Sequence, residues 1–192
     1  MSSNLRMPPI LENPKKILLL SGKRKSGKDF LAEKLKSILG EDCTVLRISE
    51  PIKKHYAEKC GVNFKELLGD GPFKEKYRKE MIVWGEQIRA EDPGYFCRLV
   101  CKNAQKTAFW IISDIRRKSD IHFFEQNYGN KMKSVRINTS KEIRESRGWV
   151  YTIGVDDVQS ECDLDDYADW DVIVSNDGHY ENDIDRILKL LD

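Results

Sequence analysis

The feature that most constrains this chain is an apolar segment that runs directly into a glycine-rich loop and then into a helical pattern. Residues 17–20 predict a buried strand, and residues 21–28 read Ser-Gly-Lys-Arg-Lys-Ser-Gly-Lys. Glycines let the backbone turn its N–H groups towards an anion, and a helix that follows presents its positive end to the same anion. The sequence therefore predicts a phosphate-binding strand–loop–helix unit.

The end of this loop carries two residues with a predicted chemical role. Lys28 occupies the position from which a lysine reaches the β- and γ-phosphates of a nucleotide. Asp29 follows at the position where this type of loop usually has a Ser or Thr, whose hydroxyl group binds Mg²⁺. A carboxylate can ligate Mg²⁺ or its waters, but it adds negative charge beside the phosphates. We expect Lys23, Arg24 and Lys25 to offset that charge.

Length and charge narrow the class of protein. The chain has 192 residues, enough to bury one core, and 33 Lys and Arg oppose 32 Asp and Glu. This balance argues against a broad footprint for nucleic acid or membrane. The five cysteines form no Cys-x-x-Cys pair, and the sequence shows no membrane span, secretory signal or terminal peroxisomal address. We expect a cytosolic monomer with reduced thiols that acts on small molecules.

The rest of the chain alternates between predicted strands and segments long enough for helices. Residues 1–14 are predicted to be a flexible leader, and residues 15–192 a single domain. Such alternation favours an α/β fold of three layers, a parallel sheet flanked by helices. A long helix over 74–91 is predicted to bury Tyr77, Met81, Trp84 and Ile88. The further strands are predicted at 44–48, 108–113, 133–138 and 171–175.

An acidic residue and two arginines follow the predicted strand at 108–113. Asp114 resembles the second signature of phosphate-loop proteins, whose Asp holds Mg²⁺ directly or through water. An Asp at a strand end can equally form a turn or cap a helix. Arg116 and Arg117 would lie at the carboxyl end of a parallel strand, where ligands bind and where guanidinium groups match phosphate oxygens. Their alternative role is that of a solvated surface pair.

A charged segment, residues 140–149, suits a mobile helical lid, which we place at about 139–165. Arg144 and Arg147 are three residues apart, so on a helix they would share a face and close together over a polyphosphate. The alternative is a solvated helix with Glu–Arg pairs. Residues 154–163 are acidic and contain no basic residue. They are expected to be a linker, to cap helix ends, or to pair with the lid arginines.

Taken together, these motifs resemble the animal-type phosphomevalonate kinases, a family with a nucleoside-monophosphate-kinase-like fold. The resemblance runs from about Lys16 to the carboxyl terminus, and the Asp after Gly-Lys is itself characteristic of the family. The matching segments are residues 21–30, Trp84-Gly85-Glu86, Asp92-Pro93-Gly94, Ser113-Asp114 with Arg116-Arg117, Arg147-Gly148-Trp149, residues 154–157 and Ser160-Glu161-Cys162.

The resemblance implies transfer of the ATP γ-phosphate to (R)-5-phosphomevalonate, which gives 5-diphosphomevalonate in the mevalonate route to isoprenoids. It implies catalytic roles for Lys28, Lys23 and Arg147, and a magnesium site at Asp29 and Asp114. The implied ATP-binding residues are Gly22, Lys23, Arg24, Lys25, Ser26, Gly27, Lys28, Asp29, Arg144 and Arg147. The implied acceptor-binding residues are Lys53, Lys74, Arg89, Arg116, Arg117 and Asn176, and the family often has histidine at the position of Asp177.

Two other functions stay open on the sequence alone. A nucleoside or deoxynucleoside monophosphate kinase would share the loop, Asp114 and the lid, but would need a pocket for an acceptor base. A nucleotide-binding switch without transfer activity is the second alternative. Guanine-specific switches usually carry Asn-Lys-x-Asp, and that tetrapeptide does not occur here.

Overall fold

The protein folds around a single five-stranded sheet in which every paired strand is parallel. The computed structural model describes residues 14–69 and 71–192. The predicted leader lies outside the described residues, apart from Pro14. The order across the sheet is β2-β3-β1-β4-β5, which places the strand before the glycine-rich loop at the centre. The strands are β1 (Lys16–Gly22), β2 (Cys43–Leu46), β3 (Phe109–Ile115), β4 (Met132–Ile137) and β5 (Val172–Val174).

The apolar run in β1 is explained by burial on both faces of the sheet. Ile17 and Leu19 belong to one core cluster, with Trp110 and Phe96, whereas Leu18 and Leu20 belong to the cluster on the other face. All four β1 side chains are fully buried. Because side chains alternate along a strand, a central parallel strand must be apolar at every position. The three-layer α/β architecture predicted from the sequence is confirmed.

Helices cover both faces of the sheet. Helix α1 packs with α9 on one face, and α5 and α6 supply residues to the core on the other. The described part of the chain has no helix that is both long and apolar enough to cross a membrane. The helices are α1 (Lys28–Leu39), α2 (Glu50–Cys60), α3 (Phe64–Leu68), α4 (Pro72–Glu91), α5 (Tyr95–Lys102), α6 (Lys118–Tyr128), α7 (Lys141–Ser146), α8 (Gln159–Cys162) and α9 (Tyr180–Leu188).

The long helix α4 begins two residues before its predicted start and ends where predicted. Its apolar face is divided between two clusters. Trp84 and Ile88 pack against the main core, while Met81 and Tyr77 pack against α2 and α3 in a smaller satellite cluster around Leu67. The α2–α4 region therefore has an apolar base of its own beside the sheet, and its opposite side is free to carry charged residues.

The carboxyl ends of all five strands meet at one edge of the sheet. Parallel strands impose this arrangement, and the segments that follow them form the crevice of such folds. The glycine-rich loop follows β1, Arg116 follows β3, and the lid segment follows β4. Arg47 follows β2, and Asn176 follows β5 after one intervening residue.

Candidate active site

The glycine-rich loop has the backbone that an anion cradle requires. Gly27 has φ of +91° and Lys25 has φ of +61°, and α1 begins at Lys28. The Nζ of Lys28 donates to the carbonyl oxygens of Gly22 (2.6 Å) and Lys23 (2.9 Å). Burial, aided by the charge of Arg116, lowers the pKa of Lys28 to about 7. The lysine is therefore held inside its own loop, where an added polyanion would favour its charged form.

Asn176 and Arg147, which belong to other segments, brace this loop. The Nδ2 of Asn176 donates to the Ser26 carbonyl (2.8 Å), and Arg147 donates from Nη2 to the Asn176 carbonyl (2.7 Å) and from Nη1 to that of Ser26 (3.2 Å). A Cβ at Gly27 would lie 2.1 Å from the Asn176 Nδ2. Gly27 is therefore required both for its positive φ and for the close approach of Asn176.

A cavity of about 760 Å³ opens beside the loop, between the sheet edge and the α2–α4 region. Among the residues that the structure describes, its walls carry eleven Lys or Arg and six Asp or Glu side chains, although the whole chain has a net charge of only +1. The basic excess is therefore concentrated here. Of the predicted site residues, the cavity brings together Arg24, Lys25, Gly27, Lys28, Asp29, Lys53, Lys74, Arg89, Asp114, Arg116, Arg117 and Arg147.

Other predicted residues lie outside these walls. The Nζ of Lys23 binds Asp165 (2.6 Å) and the Glu161 carbonyl (2.8 Å), and Lys23 and Arg144 line a second cavity of about 400 Å³. Asn176 is buried behind the loop and lines neither cavity. Gly22 ends β1, and the Ser26 hydroxyl is buried without a hydrogen-bond partner.

Three arginines that line the main cavity are each held by a carboxylate. Arg89 pairs with Asp120 at 2.6 Å, Arg116 with Glu161, and Arg117 with Glu86. The Arg117 Nη1 is nevertheless buried without a partner, and Arg117 is only 4% exposed. A buried guanidinium nitrogen without an acceptor is costly, so Arg117 retains one unmet hydrogen-bond donor.

Asp114 and Lys53 also line the main cavity. Asp114 accepts the backbone N–H groups of Ile48 (2.6 Å) and Ser49 (3.0 Å). Burial alone would raise the pKa of Asp114, but the hydrogen bonds of Ser49 and the charge of Lys53 outweigh it and hold the pKa below its ordinary value. Burial lowers the pKa of Lys53 to about 8. Asp114 is therefore a carboxylate at neutral pH.

The carboxylates suit a cation that is shared with phosphates. Asp29 is largely exposed in the cavity, with one oxygen 3.5 Å from Arg47 Nε. Residues 14–69 and 71–192 contain no group of three or more His, Cys, Asp or Glu side chains placed to hold a metal ion. Mg²⁺ commonly takes only one or two carboxylates and completes its coordination with phosphate and water, so Asp29 and Asp114 fit that donor set.

The lid segment differs in detail from its prediction. Helix α7 ends at Ser146, so Arg147 lies just beyond it and points at the loop, while the Arg144 guanidinium lies 4.1 Å from the centre of the Trp149 ring. The two arginines do not act from one helical face. Arg144 turns instead to the second cavity.

The acidic segment pairs mainly with the glycine-rich loop rather than with the lid arginines. Arg24 binds Asp156 at 2.7 Å, and the Arg24 N–H donates to Glu161 at 3.1 Å. Asp163 accepts the N–H of Lys118 at the start of α6, so the expected helix capping does occur. No bond from this segment to Arg144 or Arg147 is found within the described residues. The nearer cations of the loop take its carboxylates.

Sequence reasoning missed the acidic partners of the site. Glu86 and Glu161 belong to two of the motifs named above, but those motifs do not indicate which arginine each carboxylate would pair with. Asp120 received no role at all. Arg47 and Arg78 also line the cavity. The available signal was the number of arginines predicted at one edge of an almost neutral protein, because clustered buried cations require nearby carboxylates.

A glycine-rich loop at the centre of a parallel sheet, facing a cavity rich in lysine and arginine, defines the class of P-loop kinases. A family model described as phosphomevalonate kinase matches residues 20–130. The chain is 48% identical over 182 residues to a phosphomevalonate kinase of Drosophila melanogaster, covering 92% of this chain and 96% of that protein. The chain therefore belongs to the phosphomevalonate kinase family.

Solved structures support the fold independently. The shikimate kinase of Aquifex aeolicus has a TM-score of 0.54 at 14% identity, with 91% of this chain and 95% of that one covered. The shikimate kinase of Acinetobacter baumannii, solved with shikimate, has a TM-score of 0.53 at 16% identity, with 92% of each chain covered. At such low identity these similarities establish the shared fold alone.

Proposed function

We propose that this chain transfers the γ-phosphoryl group of ATP to (R)-5-phosphomevalonate and forms (R)-5-diphosphomevalonate, a step in isoprenoid biosynthesis. The observation that carries the proposal is the cation-rich cavity that joins the glycine-rich loop to Arg116 and Arg117. It can receive two polyanions end to end. Membership of the phosphomevalonate kinase family supports this choice of acceptor.

On the ATP side, the loop of residues 22–29 binds the phosphates. Lys28 exchanges its bonds to the Gly22 and Lys23 carbonyls for phosphate oxygens, and Arg147 stabilises the charge that develops during transfer. Lys23 joins them after leaving Asp165. The second cavity, which Lys23 and Arg144 line, receives the nucleoside. Asn176 contributes by bracing the loop through Ser26.

On the acceptor side, Arg89, Arg116 and Arg117 bind the acceptor phosphate. The unpartnered Nη1 of Arg117 supports this assignment most directly. Lys53 and Lys74 line the same wall, towards α2 and α4. A substrate dianion takes the place of Glu161 on Arg116 and of Glu86 on Arg117, so that substrate binding exchanges one set of charge-assisted bonds for another.

The chemistry requires cations more than a general base. A phosphomonoester has a second pKa of about 6, so the attacking oxygen is already ionised at neutral pH. Two unit charges 4 Å apart repel by roughly 4 kcal/mol at an effective dielectric of about 20. Bringing two such anions into line therefore demands several converging cations, as the cavity provides.

Asp29 and Asp114 are the residues that would hold Mg²⁺, with the phosphates as further ligands. A Mg²⁺ held there would supply positive charge that offsets the charge of the phosphates. Lys28 and Arg147, which line the same cavity, supply further positive charge to the phosphates. Closure of residues 139–165 excludes water from the transfer.

We also propose that the protein is a cytosolic monomer. All five cysteines are free thiols, three of them buried, as suits a reducing compartment. One chain supplies both walls of the cavity, so no second copy is needed to complete the site. Sedimentation of the purified protein at micromolar concentration tests the oligomeric state, and a dimer would contradict this proposal.

The deciding test compares acceptors. ADP release is measured with phosphomevalonate and with a panel of nucleoside monophosphates, and the product is identified by ³¹P NMR as a new diphosphate. We expect turnover with phosphomevalonate alone. Turnover only with nucleotides would favour a nucleoside monophosphate kinase. ATP binding without transfer to any of these acceptors would favour a nucleotide-binding switch.

A further inference from the structure

One buried carboxylate lies behind the arginines of the acceptor side. Asp120 is the third residue of α6 and is fully buried. It does not line the cavity, and nothing in the sequence motifs assigned it a role. It is nevertheless hydrogen-bonded to three residues that bind the acceptor in the proposed function.

Both oxygens of Asp120 are committed to these residues. Oδ2 accepts the backbone N–H groups of Arg116 and Arg117, each at 3.1 Å. Oδ1 accepts from Nη1 of Arg89 at 2.6 Å and, more weakly, from the Cys97 thiol at 3.5 Å. Arg89 belongs to α4, so this carboxylate joins two separate elements at the site.

We propose that Asp120 is the positioning residue of the acceptor site and fixes Arg89, Arg116 and Arg117 in one arrangement that recognises a phosphate dianion. The inference rests on the proposed function, since it names how that function selects its acceptor. Asp120 touches no substrate itself. It acts through the three arginines.

Capping of α6 explains only part of this geometry. A side chain at the third helical position commonly accepts backbone N–H groups at the helix start, and Oδ2 does so. The bond from Oδ1 to Arg89 spans 31 positions and contributes nothing to that cap. Arg89 is also largely buried, with its guanidinium 5.3 Å from the centre of the Phe96 ring. Without Asp120 its charge would lie buried beside an aromatic ring, unpaired.

The test compares the acceptor KM with the ATP KM in the full-length protein. Asp120→Asn keeps the size of the side chain but removes the charge that holds Arg89. We expect the acceptor KM to rise about 30-fold, which is about 2 kcal/mol at 1.4 kcal/mol per tenfold, while the ATP KM changes less than about threefold. Calorimetric binding of phosphomevalonate without ATP should weaken to the same extent.

The matched control is Asp171→Asn. Asp171 also accepts a backbone N–H, that of Ser134 at 2.8 Å, and also pairs with a basic side chain, Lys133 at 3.0 Å. It precedes β5, at the opposite edge of the sheet from the site. Thermal unfolding is recorded for both variants. Loss of a purely structural carboxylate lowers the stability of the protein but does not raise the acceptor KM relative to the ATP KM. Asp171→Asn should therefore leave both KM values unchanged.

A double-mutant cycle with Arg89→Met tests the route of action. If Asp120 acts through Arg89, the combined variant raises the acceptor KM by clearly less than the product of the two single effects. Strictly multiplicative effects would overturn the inference, as would an acceptor KM unchanged in Asp120→Asn or equal changes for both substrates.

A second variant is tested in case Asp120→Asn does not fold. Asp120→Ser keeps a hydroxyl that can accept from the first turn of α6. If neither variant folds, the role of Asp120 is not confined to the acceptor site and the inference is wrong. Absence of turnover by the wild-type protein would instead overturn the proposed function, so the two failures are distinguishable.

Discussion

Lys28 is the residue on which most of the proposed chemistry converges. Its Nζ is bonded to two carbonyl oxygens of its own loop, and it lies against the cavity. We expect Lys28→Met to lower kcat at least about a thousand-fold, because the transferring group loses its principal cation. Steady-state kinetics with phosphomevalonate measure this loss.

The matched control for that variant is Lys34→Met, on the same helix. Lys34 is exposed, and its Nζ lies 5.4 Å from the centre of the Phe30 ring, away from the loop. Its replacement should leave kcat within about twofold. Both proteins should show the circular dichroism of the wild type. An active Lys28→Met would contradict the role assigned to Lys28.

The lowered pKa of Lys28 predicts a proton linked to ATP binding. With a pKa of about 7 in the free protein, Lys28 is mostly neutral at pH 8. Phosphates favour its charged form and raise the pKa, so binding at pH 8 should take up a proton at Lys28, whereas at pH 6 the lysine is already charged. Calorimetry in buffers of different ionisation enthalpy measures the uptake. Equal uptake by Lys28→Met at pH 8 would count against this reading.

Arg117 allows the division between the two substrates to be tested. It is buried beside Glu86 with one unpartnered nitrogen. We expect Arg117→Ala to raise the acceptor KM roughly a hundredfold, because the acceptor phosphate loses its charge-assisted hydrogen bonds to this residue. The ATP KM should change little. The neighbouring Lys118, whose side chain is exposed and pairs with Asp166, supplies the control Lys118→Ala. Equal changes for both substrates in Arg117→Ala would contradict the assignment.

At the scale of elements, the lid is the part of the site that the fold leaves least constrained. Helices α7 and α8 are short, and Val150 and Ile153 between them are each 72% exposed. We expect amide hydrogen exchange over residues 147–158 to slow when ATP and phosphomevalonate are both bound, because closure buries this segment. Helix α9, none of whose described residues line either cavity, serves as the internal reference. Unchanged exchange in the segment with both substrates bound would argue against a moving lid.

The elements were largely predictable from the sequence, and the site was predictable only in part. The strands could be located because a parallel sheet buried on both faces demands continuous apolar runs, as in residues 17–20. Phe30 shows where this reasoning fails for an individual side chain. It fits the helical pattern of apolar residues in α1, yet its side chain is 44% exposed and packs on Tyr180. The pairs Arg116–Glu161 and Arg89–Asp120 join residues 45 and 31 positions apart. Such partners follow from tertiary approach, which local pattern does not encode.

At the scale of the whole molecule, the excess of positive charge is concentrated in one cavity and is small over the chain as a whole. The chain is nearly neutral, while basic side chains outnumber acidic ones in the walls of the main cavity. Substrate capture should therefore depend on salt. Raising the ionic strength from 0.1 M to 1 M shortens the screening length from about 10 Å to about 3 Å, and we expect kcat/KM for phosphomevalonate to fall at least about tenfold.

Thermal unfolding in the same salt series is the control. Most of the exposed ion pairs contribute little to stability, so the unfolding temperature should change far less than the kinetics. A salt-independent kcat/KM would indicate that long-range attraction plays no part in substrate capture.

The carboxylates that hold Arg89, Arg116 and Arg117 also bear on the design of inhibitors. An uncharged compound entering the cavity would meet guanidinium groups already paired with Asp120, Glu161 and Glu86, and only Nη1 of Arg117 would lack an acceptor. Only a molecule with its own dense negative charge competes on equal terms, and such molecules cross cell membranes poorly.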